Sequence, residues 1–227
     1  MCGRTVYNFT DNEVVADKSF NITKVENNFK PNFNVSPTQQ IPVIIPGSRI
    51  LTTFRWGLIP FWAKDKKIGY KMINARSETL IDKPIFKSIL KNKRCLVLAS
   101  GFYEWDNKKH PHLFQIKNKK IIAFAGFWDE WEDKETNNKI KTCTIITCEP
   151  NKFMNRFHDR MPVILKEKEF NIWLTSEEFS EYRSVLRPIN EELMTEYEVS
   201  TEVNSPKNNK KELLEPIENE SKQNYLF

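Results

Sequence analysis

Apolar residues along this chain fall into short runs and alternations, separated by turn-forming residues, and the pattern predicts many strands with a few short helices. Residues 4–9 alternate and predict a first strand. Thr10-Asp11-Asn12-Glu13 has capping-box spacing, so a short helix to about Phe20 is expected. Residues 21–32 are polar and read as loop, and Pro37 biases Ser36 away from helix. The apolar runs 41–45 and 50–56 predict paired strands across the turn at Pro46-Gly47-Ser48. A helix is expected over 84–90, then strands over 94–99, 101–105, 112–117 and 121–128. A charged hairpin at 129–138 leads to a strand over 139–148. Helical stretches at 151–157, 166–174 and 176–186 and a last strand over 198–203 complete the reading. From Lys207 the chain is rich in Lys, Asn and Glu and is expected to be ordered only in patches.

With 227 residues, 39% of them hydrophobic, the chain can bury one core, so one domain over 1–206 and a charged tail over 207–227 are expected. The net charge of +5 is unevenly spread: residues 61–120 carry 15 Lys and Arg against 5 Asp and Glu. Such a block is either a solvated face or a surface for an anionic partner such as nucleic acid. The four cysteines show no Cys-x-x-Cys spacing, and Cys95 and Cys143 lie in apolar runs as small buried hydrophobes. The start of the sequence lacks an apolar leader, and no run reaches the length of a membrane span. A cytoplasmic protein, nucleoid-associated when bound to DNA, is therefore expected, without disulfides. His110 and His112 stand without a matching ligand pattern, so no metal and no cofactor is called for.

Five stretches carry candidate chemistry. Removal of Met1, which is usual ahead of a small residue, would leave Cys2 with a thiol and a free α-amine on adjacent carbons. Such an aminothiol can condense with an aldehyde to an imine and close to a thiazolidine, or attack an amide carbonyl. The alternative is that the second residue has no role. Trp62 runs into a lysine-rich segment and suits stacking on an unpaired base beside its phosphates. In Asn74-Ala75-Arg76-Ser77-Glu78-Thr79, Asn74 offers a donor and an acceptor and Arg76 a bidentate phosphate ligand; a helix start capped by Ser77 or Thr79 reads equally well. Glu104 shares a strand face with Phe102, so it is either a desolvated carboxyl with a raised pKa or an edge residue in water. His158 lies beside Asp159 and Arg160 just before an apolar strand, placed to move a proton near neutral pH, although a lone histidine is often structural.

Taken together, Met-Cys-Gly-Arg (1–4), Asn-Val-Ser-Pro (34–37), Arg-Trp-Gly-Leu-Ile-Pro (55–60), Asn-Ala-Arg-Ser-Glu-Thr (74–79), Gly-Phe-Tyr-Glu-Trp (101–105) and His-Asp-Arg-Met-Pro (158–162) resemble the SOS-response-associated peptidase (SRAP) family. Its members crosslink to abasic sites in single-stranded DNA. The resemblance runs from Cys2 to about Pro206 and implies an α+β domain built on a curved, barrel-like antiparallel sheet with short flanking helices. It implies that Cys2 is the crosslinking residue, that Asn74 and Glu104 flank its amine, and that His158 works on the sugar. Arg4, Arg76 and Arg160 are assigned to the DNA-binding set with Asn34, Pro37 and Trp62, the last three shaping a kinked strand. The implied partner is single-stranded DNA carrying an abasic site. Replication-fork proteins are further candidates, a monomer is expected, and no membrane is involved. The resemblance also implies weak lyase behaviour and a peptidase activity able to remove Met1 or a short leader with Cys2, Asn74, Glu104 and His158.

Two rivals belong to other classes. Met-Cys-Gly also opens glutamine amidotransferases, but their His-Arg-Gly stretch has no counterpart here. A non-catalytic single-strand binder would hold intact and abasic strands alike and would not need Cys2.

Overall fold

The computed structural model of the chain describes residues 2–47 and 49–217. The first strands are β1 (Thr5–Tyr7), β2 (Lys24–Val25), β3 (Asn32–Val35), β4 (Gln40–Ile45), β5 (Ile50–Trp56) and β6 (Asn74–Arg76). There follow β7 (Arg94–Ala99), β8 (Gly101–Trp105), β9 (Pro111–Ile116), β10 (Ile122–Glu132) and β11 (Lys139–Cys148). The short β12 (Met161–Pro162), β13 (Ile164–Leu165) and the final β14 (Met194–Glu198) complete the set. Helices are few and brief: α1 (Asp11–Ala16), α2 (Pro84–Ile89), α3 (Phe170–Thr175) and α4 (Phe179–Arg183).

Five strands close on themselves. β4 pairs with β5 and with β7, β7 with β10, and β10 with β11, all antiparallel. The ring is sealed where β11 runs parallel to β5. β6 also joins β11 in parallel, and β2 joins β5. The sheet is thus the expected barrel, but it is not wholly antiparallel. A second sheet, ordered β14-β9-β8-β1-β3, wraps one side. Because β7 is covered on both faces, all six of its residues are buried, and after Arg94 its sequence is a continuous apolar run instead of an alternation. Phe102 and Phe114 stack at 5.2 Å between adjacent strands and fill the space between sheet and barrel.

β8 and β9 approach so closely at Gly101 that an added Cβ would lie 2.4 Å from the Phe114 carbonyl oxygen. Gly101→Ala is expected to cost about 1–3 kcal/mol through forced displacement of these strands, read as a lower urea midpoint with unchanged slope. Since β8 carries Glu104, the same substitution disturbs the site described below.

The local differences from the sequence reading have identifiable causes. The Glu13 carboxylate accepts from the Thr10 amide at 2.8 Å, as the capping box requires. The helix nevertheless stops at Ala16, because Asp17 turns extended and Phe20 leaves to stack on Phe170 at 5.3 Å. Residues 151–157 form only a 3₁₀ turn at Met154–Arg156, and 166–186 break into a 3₁₀ turn and two short helices. The last strand lies at Met194–Glu198, ahead of its expected position, because that register places the apolar Met194 beside Ile116 of β9. Residues 201–204 are a 3₁₀ turn in which the Glu202 amide donates to the Ser200 hydroxyl at 3.3 Å. Beyond Lys207 the chain folds back: Leu213 is fully buried beside Val199 and Val203, and Pro216 bridges Val199. The tail expectation for residues 218–227 lies outside the described residues.

Candidate active site

The N-terminal segment is held like an inner strand. The Tyr103 amide donates to the Arg4 carbonyl at 2.9 Å, and the Thr5 hydroxyl donates to the Gly101 carbonyl at 2.7 Å. Cys2 is thereby fixed against the sheet and fully buried. Asn74 reaches it from β6, which is placed by its parallel pairing with β11. The Asn74 carboxamide Nδ2 donates to the Cys2 carbonyl at 2.8 Å. Its Oδ1 is also buried and accepts no hydrogen bond from the described residues, which leaves an acceptor aimed beside the first residues of the chain.

Glu104 is 5% exposed on β8, on the same sheet face as the buried Phe102. Burial drives its pKa up to about 7, while the ammonium at the head of the chain pulls the other way. A carboxyl that is half ionised near neutrality can both take and return a proton. Burial pushes the Cys2 thiol far above its ordinary value, and the Glu104 charge adds to this. Cys2 therefore rests as a thiol. Burial also lowers the His158 pKa, helped by the amino-terminal charge and opposed by Asp159. Asn74 thus touches Cys2 directly, and the Glu104 charge acts on the Cys2 thiol.

His158 Nδ1 faces two groups: the Asp159 carboxylate at 2.7 Å and the Arg160 amide at 3.0 Å. When Nδ1 carries the proton it donates to Asp159, and Nε2 is the basic nitrogen. When Nε2 carries it, Nδ1 accepts from the Arg160 amide. The ring keeps one orientation in either state, a geometry suited to shuttling a proton.

The other candidates divide. Trp62 is 53% exposed and Phe61 62% exposed, yet their loop is pinned. The Phe61 amide donates to the buried Asp129 carboxylate at 2.9 Å, and the Trp131 indole donates to the Ala63 carbonyl at 2.7 Å. Arg76 is exposed, with its fork open to solvent. Pro37 sits half-buried in a tight turn, where the Thr38 amide donates to the Trp56 carbonyl at 2.7 Å. Arg4 is partly buried and donates to Asn34 Oδ1 at 2.6 Å, with its guanidinium 5.9 Å from the Trp105 ring centre.

Two of the expected DNA-binding residues are engaged within the fold. Asn34 is 1% exposed, its Nδ2 donates to the carbonyls of Val203, Ser205 and Asn208, and its Oδ1 accepts from Arg4. The Arg160 guanidinium donates to Glu78 at 2.9 and 2.8 Å and to the Thr147 carbonyl at 2.7 Å. The reading of Ser77 or Thr79 as a helix cap is corrected: the segment is a 3₁₀ turn without a side-chain cap. Sequence reasoning missed Phe61, Asp129 and Glu78; only Phe61, next to Trp62, carried a local signal.

A buried cysteine at position 2, bonded by an asparagine beside a five-stranded barrel, places the chain in a class. The chain belongs to the SOS response associated peptidase (SRAP) family, whose description matches residues 1–206. Abasic site processing protein YoqW of Bacillus subtilis (strain 168) is 46% identical over 226 residues, covering 95% of this chain and 99% of its own. Abasic site processing protein HMCES of Xenopus tropicalis is 33% identical, covering 83% of this chain and 67% of its own. A crystal structure of a protein from Bacteroides thetaiotaomicron superposes with a TM-score of 0.87 at 28% identity, covering 95% of this chain and all of that one. Among the described residues, no helix is long and apolar enough to cross a membrane, and no three His, Cys, Asp or Glu side chains are grouped to hold a metal ion.

Proposed function

We propose that this protein captures abasic sites in single-stranded DNA by forming a covalent bond through Cys2, which shields the lesion. The observation that carries the reading is the 2.8 Å bond from Asn74 to the carbonyl of Cys2, a residue whose thiol also feels the charge of Glu104, a carboxyl that burial raises to a pKa of about 7. The names and extents of the curated relatives support it.

The steps follow from the groups present. An abasic deoxyribose is mostly a closed hemiacetal. His158, neutral at pH 7, takes the hydroxyl proton through Nε2 and delivers it to the ring oxygen, so the ring opens to an aldehyde. Glu104 removes a proton from the Cys2 ammonium exposed by loss of Met1. The amine adds to the aldehyde carbon, and Glu104 returns the proton as the carbinolamine loses water. The thiol then adds across the imine: sulfur bonds to carbon, the proton passes to nitrogen, and a thiazolidine closes. Since the resting thiol is strongly protonated, ring closure follows imine formation instead of preceding it. An imine that fails to close leaves β-elimination open, which accounts for weak lyase behaviour. Self-processing at Met1 would use the same residues.

Arg76 and the Asn34-oriented Arg4 hold flanking phosphates, and Trp62 stacks on a base next to the gap. Trp62→Ala is expected to weaken binding of an intact single strand by about 1–3 kcal/mol, measured by fluorescence anisotropy at fixed salt, with little change in thermal stability.

The direct test is a denaturing gel with a single strand carrying one abasic site. Wild type should give a slow-migrating covalent band, and a fully paired duplex should give little. A non-catalytic binder would give none with either.

A further inference from the structure

We infer that Glu78 is a positioning residue that acts through Arg160 to hold His158 and Asn74 in one frame; this rests on the crosslinking reading above. Asn74 and Glu78 lie in one short segment, β6 followed by the 3₁₀ turn Ser77–Thr79. His158 lies far along the chain, on the loop before β12. A charged tie joins the two segments: both carboxylate oxygens of Glu78 accept from the two terminal nitrogens of Arg160, at 2.9 and 2.8 Å. The same guanidinium donates to the Thr147 carbonyl at 2.7 Å, and Thr147 is the register partner of Arg76 where β6 pairs with β11. The Arg160 side chain is 11% exposed and the Glu78 side chain 41%, so the guanidinium is shielded while its carboxylate partner still meets water, and the two-point geometry carries the tie more than the charge does.

Arg160 also touches the site through its main chain, since its amide donates to His158 Nδ1 at 3.0 Å. One residue thus fixes the imidazole through its backbone and the Asn74 segment through its side chain. Removing the Glu78 carboxylate leaves the Arg160 guanidinium without its ionic partner and frees the loop that carries His158. The distance between the proton shuttle and the residue that holds Cys2 is then no longer set. Small displacements of that kind lower the rate of an oriented reaction without greatly changing how the remainder of the substrate binds.

The test compares two quantities: the rate of covalent-band formation at saturating abasic strand, and the dissociation constant for an intact strand of the same sequence. Glu78→Gln is expected to slow crosslinking about tenfold or more while the intact-strand constant changes less than about twofold. Glu78→Asp, which keeps the charge but shortens the arm that meets the fork, should slow crosslinking in the same direction and serves if Glu78→Gln does not fold. The exchanged pair, Glu78→Arg with Arg160→Glu, retains the backbone amide at position 160 and should recover part of the rate lost in either single variant. Equal losses in rate and intact-strand affinity, or a wild-type rate in both single variants, would overturn the inference. Absence of any covalent band with wild type would instead defeat the crosslinking reading itself, so the two failures are distinguishable.

Discussion

Cys2→Ala should abolish the stable covalent band with abasic single strands and leave the affinity for an intact strand unchanged. The α-amine survives this substitution, so an imine still forms at position 2. Without sulfur it cannot close, and it reverts on denaturation or passes to β-elimination. Borohydride, which reduces an imine to a stable amine, should therefore rescue a band with Cys2→Ala that is missing without reductant. Strand nicking should rise in the same reaction. Since Cys2 is fully buried, truncation also costs packing, on the order of 1 kcal/mol. A thermal melt separates that loss from the chemical one. A stable band from Cys2→Ala without borohydride would exclude thiazolidine closure.

Glu104→Gln carries the second large effect, and it has two opposite faces. The carboxyl that moves protons at the amine and the carbinolamine is lost, and the rate of crosslinking should fall by about a hundredfold to ten-thousandfold. Stability should move the other way. A pKa of about 7 lies above the unfolded value, so the folded state favours the protonated form. That contribution is fully present at pH values below the ordinary carboxylate pKa and is lost as pH rises through 7. At pH 8 the buried carboxylate costs on the order of 3 kcal/mol, and the neutral glutamine avoids it. Urea unfolding at pH 8 should show Glu104→Gln more stable than wild type, and the difference should vanish near pH 4. A variant that loses activity without this pH-dependent gain would show that Glu104 ionises freely in the folded protein.

Much of the barrel was legible because its strands announce themselves locally. Runs such as 50–56, 94–99 and 139–148 are apolar enough, and bounded sharply enough, to be strands in any register. Of the four candidate site residues, Cys2, Asn74, Glu104 and His158, each read alone left a structural alternative open, and only the resemblance of six ordered motifs joined them into one set. What local pattern could not show is pairing over distance. The parallel seam between β11 and β5 closes the barrel, yet neither strand differs in composition from an antiparallel one. Asn34 looked like a surface residue within an Asn-Val-Ser-Pro stretch. It is buried only because residues 203–208 return to supply three carbonyls. The Glu78–Arg160 pair spans 82 residues, and a charged side chain in a polar motif gives no sign of its partner. The last strand was misplaced for a related reason: its position is set by the register with β9, not by its own alternation.

The account depends on the amine and the thiol of one residue standing together at the start of the mature chain. Insertion of an alanine between Met1 and Cys2 leaves the thiol and every site side chain in the sequence but removes the adjacent free amine. The account predicts that this variant, confirmed by intact mass to begin ahead of Cys2, binds intact single strands as wild type does and forms no covalent band with abasic ones. Undiminished crosslinking by that variant would contradict it.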